Sequence, residues 1–317
     1  MLEFPATIFC YCGVCFYPLT LFAPSNRATC DICHCTSCRR WSGGLFTAAV
    51  CSSPIPSCLL SSGALTGYVT SPGTTRYFLV ERHAGVVEDW GGLEIQVGEH
   101  EWVRDTRDGG GAEFWENGMR WAGKKGESEQ LPLGWRAPQL ELEQPDGEAD
   151  DTLVAECHCG GVSFLITRPT SASKTAIPTG WPSVLPDPTG STHDWDSEPC
   201  GQPVDLRKLG TLRSCTPARA EGVHRDFCGR CGASVFWWNE ARDAVIDVAP
   251  GILRAPEGAR AESWLEWVGE GVVRDGEGRG PRWVCEALGR GVRAFGERRR
   301  AGKAVDKEGW SGSPPGL

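Results

Sequence analysis

Three cysteines, Cys33, Cys35 and Cys38, stand in the spacing Cys-x-Cys-x-x-Cys within the segment CHCTSCRRWSGG. Thiols one and two residues apart pair poorly as disulfides, but on a tight loop all three can point at one ion. Three thiolates suit zinc and leave a fourth coordination position for substrate or water. Such an open ion can polarise a carbonyl or hold a substrate thiolate, so these three are the candidate catalytic cysteines. A closed structural site competes with that reading: Cys30 extends the pattern to Cys-x2-Cys-x-Cys-x2-Cys and could supply the fourth ligand. His34, lying between two ligand cysteines, is expected to point away from the ion. Arg39 and Arg40 follow at once and are the candidate substrate-binding residues, able to take the carboxylates of a peptide-like thiol.

A second set of thiols has a different grammar. Cys157-x-Cys159-Gly160 opens a segment, and Cys228-x-x-Cys231-Gly232 returns about seventy residues later. Two such loops meeting over one ion make a tetrahedral, fully occupied site, which contributes folding energy rather than chemistry. Cys10-x-Cys12 is a further possible metal pair. His83, His193 and His224 stand near no convincing triad and are assigned no catalytic role, although His83 could replace a missing ligand. Trp237 and Trp238 are read as packing residues.

The elements that carry these cysteines follow from composition. The chain has 317 residues, of which 41 are Gly and 22 are Pro, which disfavours a helical bundle and favours short strands joined by turns. Its net charge of −9 argues against a whole-chain nucleic-acid binder and points to small molecules or proteins as partners. Sixteen cysteines fall in two groups, nine from Cys10 to Cys58 and seven from Cys157 onward, so two thiol-rich centres are expected. The N-terminal stretch Phe4 to Asn26 carries no formal charge. Pro5, Pro18 and Pro24 interrupt it, however, so neither a membrane span nor an export signal is expected. Thiolate ligands suit a reducing, intracellular setting, taken here as the cytoplasm.

The chain reads as a tandem repeat. FCYCGVCF (Phe9 to Phe16) resembles ECHCGGVSF (Glu156 to Phe164), and Leu65 to Phe78 resembles Leu212 to Phe227, each ending in Arg-x-Phe. VVEDWGGLEIQVG and ASVFWWNEARDAVIDVAPG both alternate as hairpins do. The expected organisation is a first domain over 1–123, a linker over 124–150, a second domain over 151–275 and a poorly ordered tail over 276–317. A short helix is expected over Glu257 to Val268, where Ala261, Trp264, Leu265 and Val268 have helical spacing.

The order of these motifs resembles the glutathione-dependent formaldehyde-activating enzyme family, which includes centromere protein V. The likeness rests on Cys-x-Cys-Gly, then Cys-x-Cys-x-x-Cys-Arg with a following Trp-Ser-Gly, then Arg-x-Phe-Cys-x-x-Cys-Gly. Its tandem arrangement is similar to fungal members with two such domains. The resemblance implies a mainly β fold of two zinc-binding β-tent domains. It also implies a zinc-dependent carbon-sulfur lyase, like an S-(hydroxymethyl)glutathione synthase, acting on a small thiol such as glutathione and a small carbonyl. Neither repeat is complete. The first has LVERHAG (Leu79 to Gly85) where the return pair should stand. The second has only Cys200 and Cys215 between Cys159 and Cys228, so its own catalytic zinc should be absent. The alternative expectation is a catalytically silent zinc scaffold for protein or chromatin binding.

Overall fold

A computed structural model describes residues 2–9, 16–49, 65–71, 74–79, 86–89, 92–138, 152–167, 209–216, 221–242, 246–265, 267 and 282–308. The fold is mainly β, as the Gly and Pro content leads one to expect. In the N-terminal half, β1 (Leu2–Phe9) pairs antiparallel with β2 (Phe16–Ala23). Next come β3 (Arg27–Cys33), helix α1 (Thr36–Ser42), β4 (Thr47–Ala49), β5 (Leu65–Ser71), β6 (Thr74–Leu79) and β7 (Val86–Asp89). β8 (Glu94–Glu101), β9 (Arg120–Trp121) and β10 (Gln130–Leu131) complete a five-stranded sheet of order β10-β9-β8-β3-β4, in which β3 and β8 run parallel. β5 and β6 form a hairpin.

The C-terminal half begins with the antiparallel pair β11 (Thr152–Glu156) and β12 (Ser163–Thr167). β13 (Leu212–Cys215), β14 (Val223–Cys228), β15 (Ser234–Asn239) and β16 (Ile246–Val248) form a four-stranded antiparallel sheet. Alternation explains the packing: in β11, Leu153 and Ala155 turn inward while Val154 faces out. These inward residues join Val162, Ile166, Val235, Ile246 and Ile252 in the largest core, which also encloses Cys157, Cys228 and Cys231. A second core gathers Ile32, Leu45, Phe114, Trp115, Trp267, Val292 and Phe295, and a third lies under the β1–β2 pair.

Four expectations are corrected. Residues 86–98 are not a hairpin: β7 pairs with β1, and β8 pairs with β3. Residues 124–138, expected as linker, are folded; Leu131 is buried, Lys125 pairs with Asp31 and Ala137 N–H donates to Arg107 O at 2.7 Å. Residues 139–150 lie outside the described part. Where a helix was expected over 257–268, the described residues 257–265 form successive turns instead, because Ala261 has φ of +49°, which no right-handed helix accommodates. The tail contains helix α2 (Arg282–Glu308) where a poorly ordered segment was expected. Its glycines misled the reading: Gly289, Gly291 and Gly296 are on buried positions, and a Cβ at Gly291 would stand 1.8 Å from Phe114 O. Here glycine permits close approach of helix to backbone. No helix among the described residues is long and apolar enough to cross a membrane.

The two halves of the chain meet where α2 packs on Phe114, where Tyr68 meets the His158 ring edge-on, and at two larger sets of polar contacts. One is the contact of α1 with the second-half core, described below. The other is a buried cluster in which Arg260, almost fully enclosed, donates from its backbone N–H to Asp108 Oδ2 at 2.8 Å and from Nη1 to Gly110 O at 2.9 Å. Its Nε donates to Glu262 Oε1 at 2.8 Å, and Arg136 reaches the other Glu262 oxygen at 2.9 Å.

Two outcomes follow for stability. Gly291→Ala should lower it by about 1–3 kcal/mol in denaturant melts, despite alanine's higher helix propensity, because the clash is with backbone. Burial alone would raise the Glu262 pKa, but Arg260 and Arg136 outweigh it and hold the group at about 2. A depressed carboxylate stabilises the fold above its unfolded pKa and loses that contribution as pH falls through the folded value. Glu262→Gln should therefore cost roughly 1 kcal/mol at neutral pH, solvent screening having reduced the effect. The gap to wild type should close between about pH 4.5 and pH 2; a gap independent of pH would show that the ion pairs contribute nothing.

Candidate metal centres

The first centre is built where a strand turns into a helix. Cys33 is the last residue of β3, Cys35 is the N-cap of α1, and Cys38 lies in the first turn. Residues two apart on extended chain share a side, so Cys33 and Cys35 face together, and the helical turn brings Cys38 back to them. Cys38 N–H donates to Cys35 Sγ at 3.3 Å. The three sulfurs lie within 4.8 Å of one another, a set that could hold one metal ion. Hydrogen bonding to Cys35 and Cys38, and then burial, push the Cys33 thiol far above the ordinary thiol range.

Alternation also disposes of the neighbours. Cys30 and Cys33 are an odd number of residues apart on β3 and so face opposite ways. Cys30 is buried with Phe4, Leu21, Leu93 and Ile95 and is not part of the cluster, which removes the closed four-cysteine reading of this loop. His34 turns inward, as expected, and is fully buried. Its Nε2 lies 3.0 Å from His100 Nδ1, and His100 Nε2 is 3.1 Å from Asn117 O. A carbonyl only accepts, so His100 carries its proton on Nε2 and accepts from His34 Nε2–H; both rings are neutral. Burial holds both pKa values down, His100 at about 4. His100 escaped the sequence reading because it reaches His34 through the parallel β3–β8 pairing, across 66 residues.

Arg39 and Arg40, the candidate substrate-binding residues, are both engaged within the protein. Arg39 is buried, donating from Nε to His34 O at 3.2 Å and from Nη2 to Thr36 Oγ1 at 3.3 Å. Arg40 donates from Nη2 to Cys157 O at 2.7 Å and from Nε to Glu156 O at 3.2 Å.

The second centre brings together Cys157, Cys159, Cys228 and Cys231, all four sulfurs within 4.8 Å. Cys157 Sγ is 3.7 Å from Cys159 Sγ, which is 3.5 Å from Cys228 Sγ. Tetrahedral ligands about 2.3 Å from a zinc ion stand roughly 3.5–4 Å apart, so the spacing fits. Two tight turns shape it. Gly160 and Gly232 have φ of +69° and +79°, the left-handed region that glycine enters freely. Backbone amides turn toward sulfur: Gly161 N–H donates to Cys159 Sγ and Val162 N–H to Cys157 Sγ, each at 3.3 Å. Thr211 Oγ1 is 3.0 Å from Cys228 Sγ. A Cβ on Gly161 would sit 3.1 Å from Cys159 Sγ and 3.3 Å from Cys228 Sγ, so the cradle closes around the sulfurs. Hydrogen bonds from Cys157 and Cys231 draw the Cys228 thiol far down, while contact with Cys228 pushes Cys157 up to about 11. A site this dense in thiols, three of them fully buried, has the donor set of a structural metal site.

Of the other candidates, Cys215 lies on β13 outside both clusters. Trp238 packs against the largest core, donates to Asp226 Oδ2 at 3.0 Å and stacks on His224 at 3.7 Å. His224 sits between Thr216 Oγ1 and Glu240 Oε1, at 3.3 and 3.0 Å. Cys10, Cys12, Cys200, His83 and His193 lie outside the described residues. Compared with protein-family models, curated proteins and solved structures, the chain matches none.

Because metal binding at such a site is coupled to folding, Cys157→Ser should lower thermal stability by several kcal/mol and release one metal ion. Cys215→Ser should keep the full metal content. Equal metal loss in the two variants would show the ligand assignment to be wrong.

Proposed function

We propose that the chain is a zinc protein with one structural and one open site, and that the open site serves carbon-sulfur lyase-type chemistry on a glutathione-formaldehyde type adduct. The observation that carries this is the placement of Cys30 and His34 away from the cluster of Cys33, Cys35 and Cys38. Cys30 faces the opposite side of β3 and His34 is turned into the sheet, so three thiolates are the ligands supplied by the described residues. Cys157, Cys159, Cys228 and Cys231 form the structural site.

Zinc held by the three thiolates would offer one coordination position and Lewis acidity. The reaction is an addition without redox change: the carbon-sulfur bond forms between thiol and carbonyl carbon, the thiol proton ends on the carbonyl oxygen, and cleavage reverses both. The chain's part is to hold geometry. The His34–His100–Asn117 bonds fix the residue between two ligands, and the buried Arg39 guanidinium ties the same loop to α1. A silent scaffold is the second reading. It is favoured by the internal engagement of Arg39 and Arg40, which commits both cations of the motif to the fold.

The two readings separate experimentally. Purified protein should carry two zinc ions and turn over an S-(hydroxymethyl) thiol adduct. Cys35→Ala should lose one ion and that turnover while remaining folded, and Cys30→Ser should keep both ions. Two ions without turnover in wild type would favour the scaffold.

A further inference from the structure

We propose that the two metal sites form one cooperative unit, with the four-thiolate loop as the seat of the three-thiolate helix and Arg40 as the positioning residue that couples them. This rests on the reading above that both clusters bind metal, but not on any catalytic activity.

The three-thiolate helix does not stand alone. Two residues after the ligand Cys38, Arg40 donates to the backbone carbonyls of Glu156 and Cys157, the latter itself a ligand of the other site. Its carboxylate contact with Glu156 is 3.3 Å. The return bond runs from His158 N–H to Arg40 O at 3.2 Å, so the residue between Cys157 and Cys159 is fastened to α1. Just past the turn that carries Arg40, at the C-cap of α1, Gly251 N–H donates to Gly43 O at 2.7 Å. The fit is tight there: a Cβ on Gly43 would lie 2.4 Å from Ser234 O, and one on Gly251 2.1 Å from Gly44 O. Trp41 packs against the core that holds the four cysteines.

The positions of the Glu156 and Cys157 carbonyls are set by the Cys157–Cys159 turn, and that turn is held by its sulfurs. Metal in the four-thiolate site therefore fixes the acceptors that Arg40 needs, and Arg40 in turn fixes the helix that carries Cys38. Charge acts in the same direction. A divalent ion with four thiolates carries net negative charge, and the Arg40 guanidinium, held against the Cys157 carbonyl, offsets part of it. Coupling of this kind is reciprocal: each ion raises the affinity for the other by one common factor.

The test uses the full chain, stripped of metal under reducing conditions and titrated with Co²⁺ against a competing chelator. The thiolate-to-cobalt absorption reports each site. Wild type should bind two ions, the four-thiolate site filling first. Arg40→Met should keep the first ion with an unchanged spectrum and bind the second about tenfold more weakly, and Arg40→Lys should recover part of that loss. Gly251→Ala, which keeps the Arg40 side chain but crowds the backbone of Arg39, Gly43 and Gly44 where α1 ends, should weaken the second ion similarly. In Cys35→Ala, the four-thiolate site should release its ion to chelator more readily than in the two-ion wild type, by the same factor. Equal second-ion affinity in wild type, Arg40→Met and Gly251→Ala would overturn the coupling while leaving two sites. Fewer than two ions on wild type would overturn the two-site reading and the coupling together.

Discussion

Sulfur atoms within 4.8 Å of one another govern the design around them. Thiols that close resist ionising together, and a cation is the ordinary means of holding several thiolates at such a distance. The surrounding backbone is arranged accordingly. Glycines take the left-handed corners, amides point at sulfur, and Thr211 adds a hydroxyl beside Cys228. The largest core then closes over three of the four cysteines, so burial of apolar strands and assembly of the donor set are one event. The three-cysteine loop is more open: Cys33 and Cys35 are half-buried, and only Cys38 is enclosed.

The local chemistry was legible because ligand spacing is a short-range property. Cys-x-Cys at the end of a strand and Cys-x-x-Cys on a tight turn dictate their own geometry, and His34 turns away as its place between two ligands implies; Cys30, open as a fourth ligand on spacing alone, is excluded only by its place on β3. The β15–β16 pair was likewise readable from the alternating apolar positions on either side of a turn. What local pattern does not contain is partnership. The 86–98 segment has the look of a hairpin, yet each of its strands satisfies its hydrogen bonds elsewhere, and the parallel pairing of β3 with β8 brings in His100.

Two misreadings have a common origin in backbone conformation. The apolar spacing at Ala261, Trp264 and Leu265 suits a helix, but the enclosed Arg260 and the left-handed Ala261 bind the chain to Asp108 and Gly110 instead. In α2 the reverse holds: glycine lowers intrinsic helix propensity, and packing against Phe114 supplies the stability. The reading of Arg39 and Arg40 as substrate contacts was reasonable for exposed cations. Their carbonyl partners, one of them 117 residues away, appear only in three dimensions.

That separation also orders events during synthesis. Cys33, Cys35 and Cys38 leave the ribosome long before Glu156 and Cys157 exist, and at roughly 5–20 residues per second the wait for Cys157 is about 6–23 s. Cys231, which closes the four-thiolate site, comes later still. Until then α1 is a seven-residue helix without its seat, too short to persist alone in water. Of the two thiol clusters, the one closest to the proposed chemistry thus waits the longer on the nascent chain before its seat exists, and meanwhile oxidation or capture by a foreign metal competes with correct assembly.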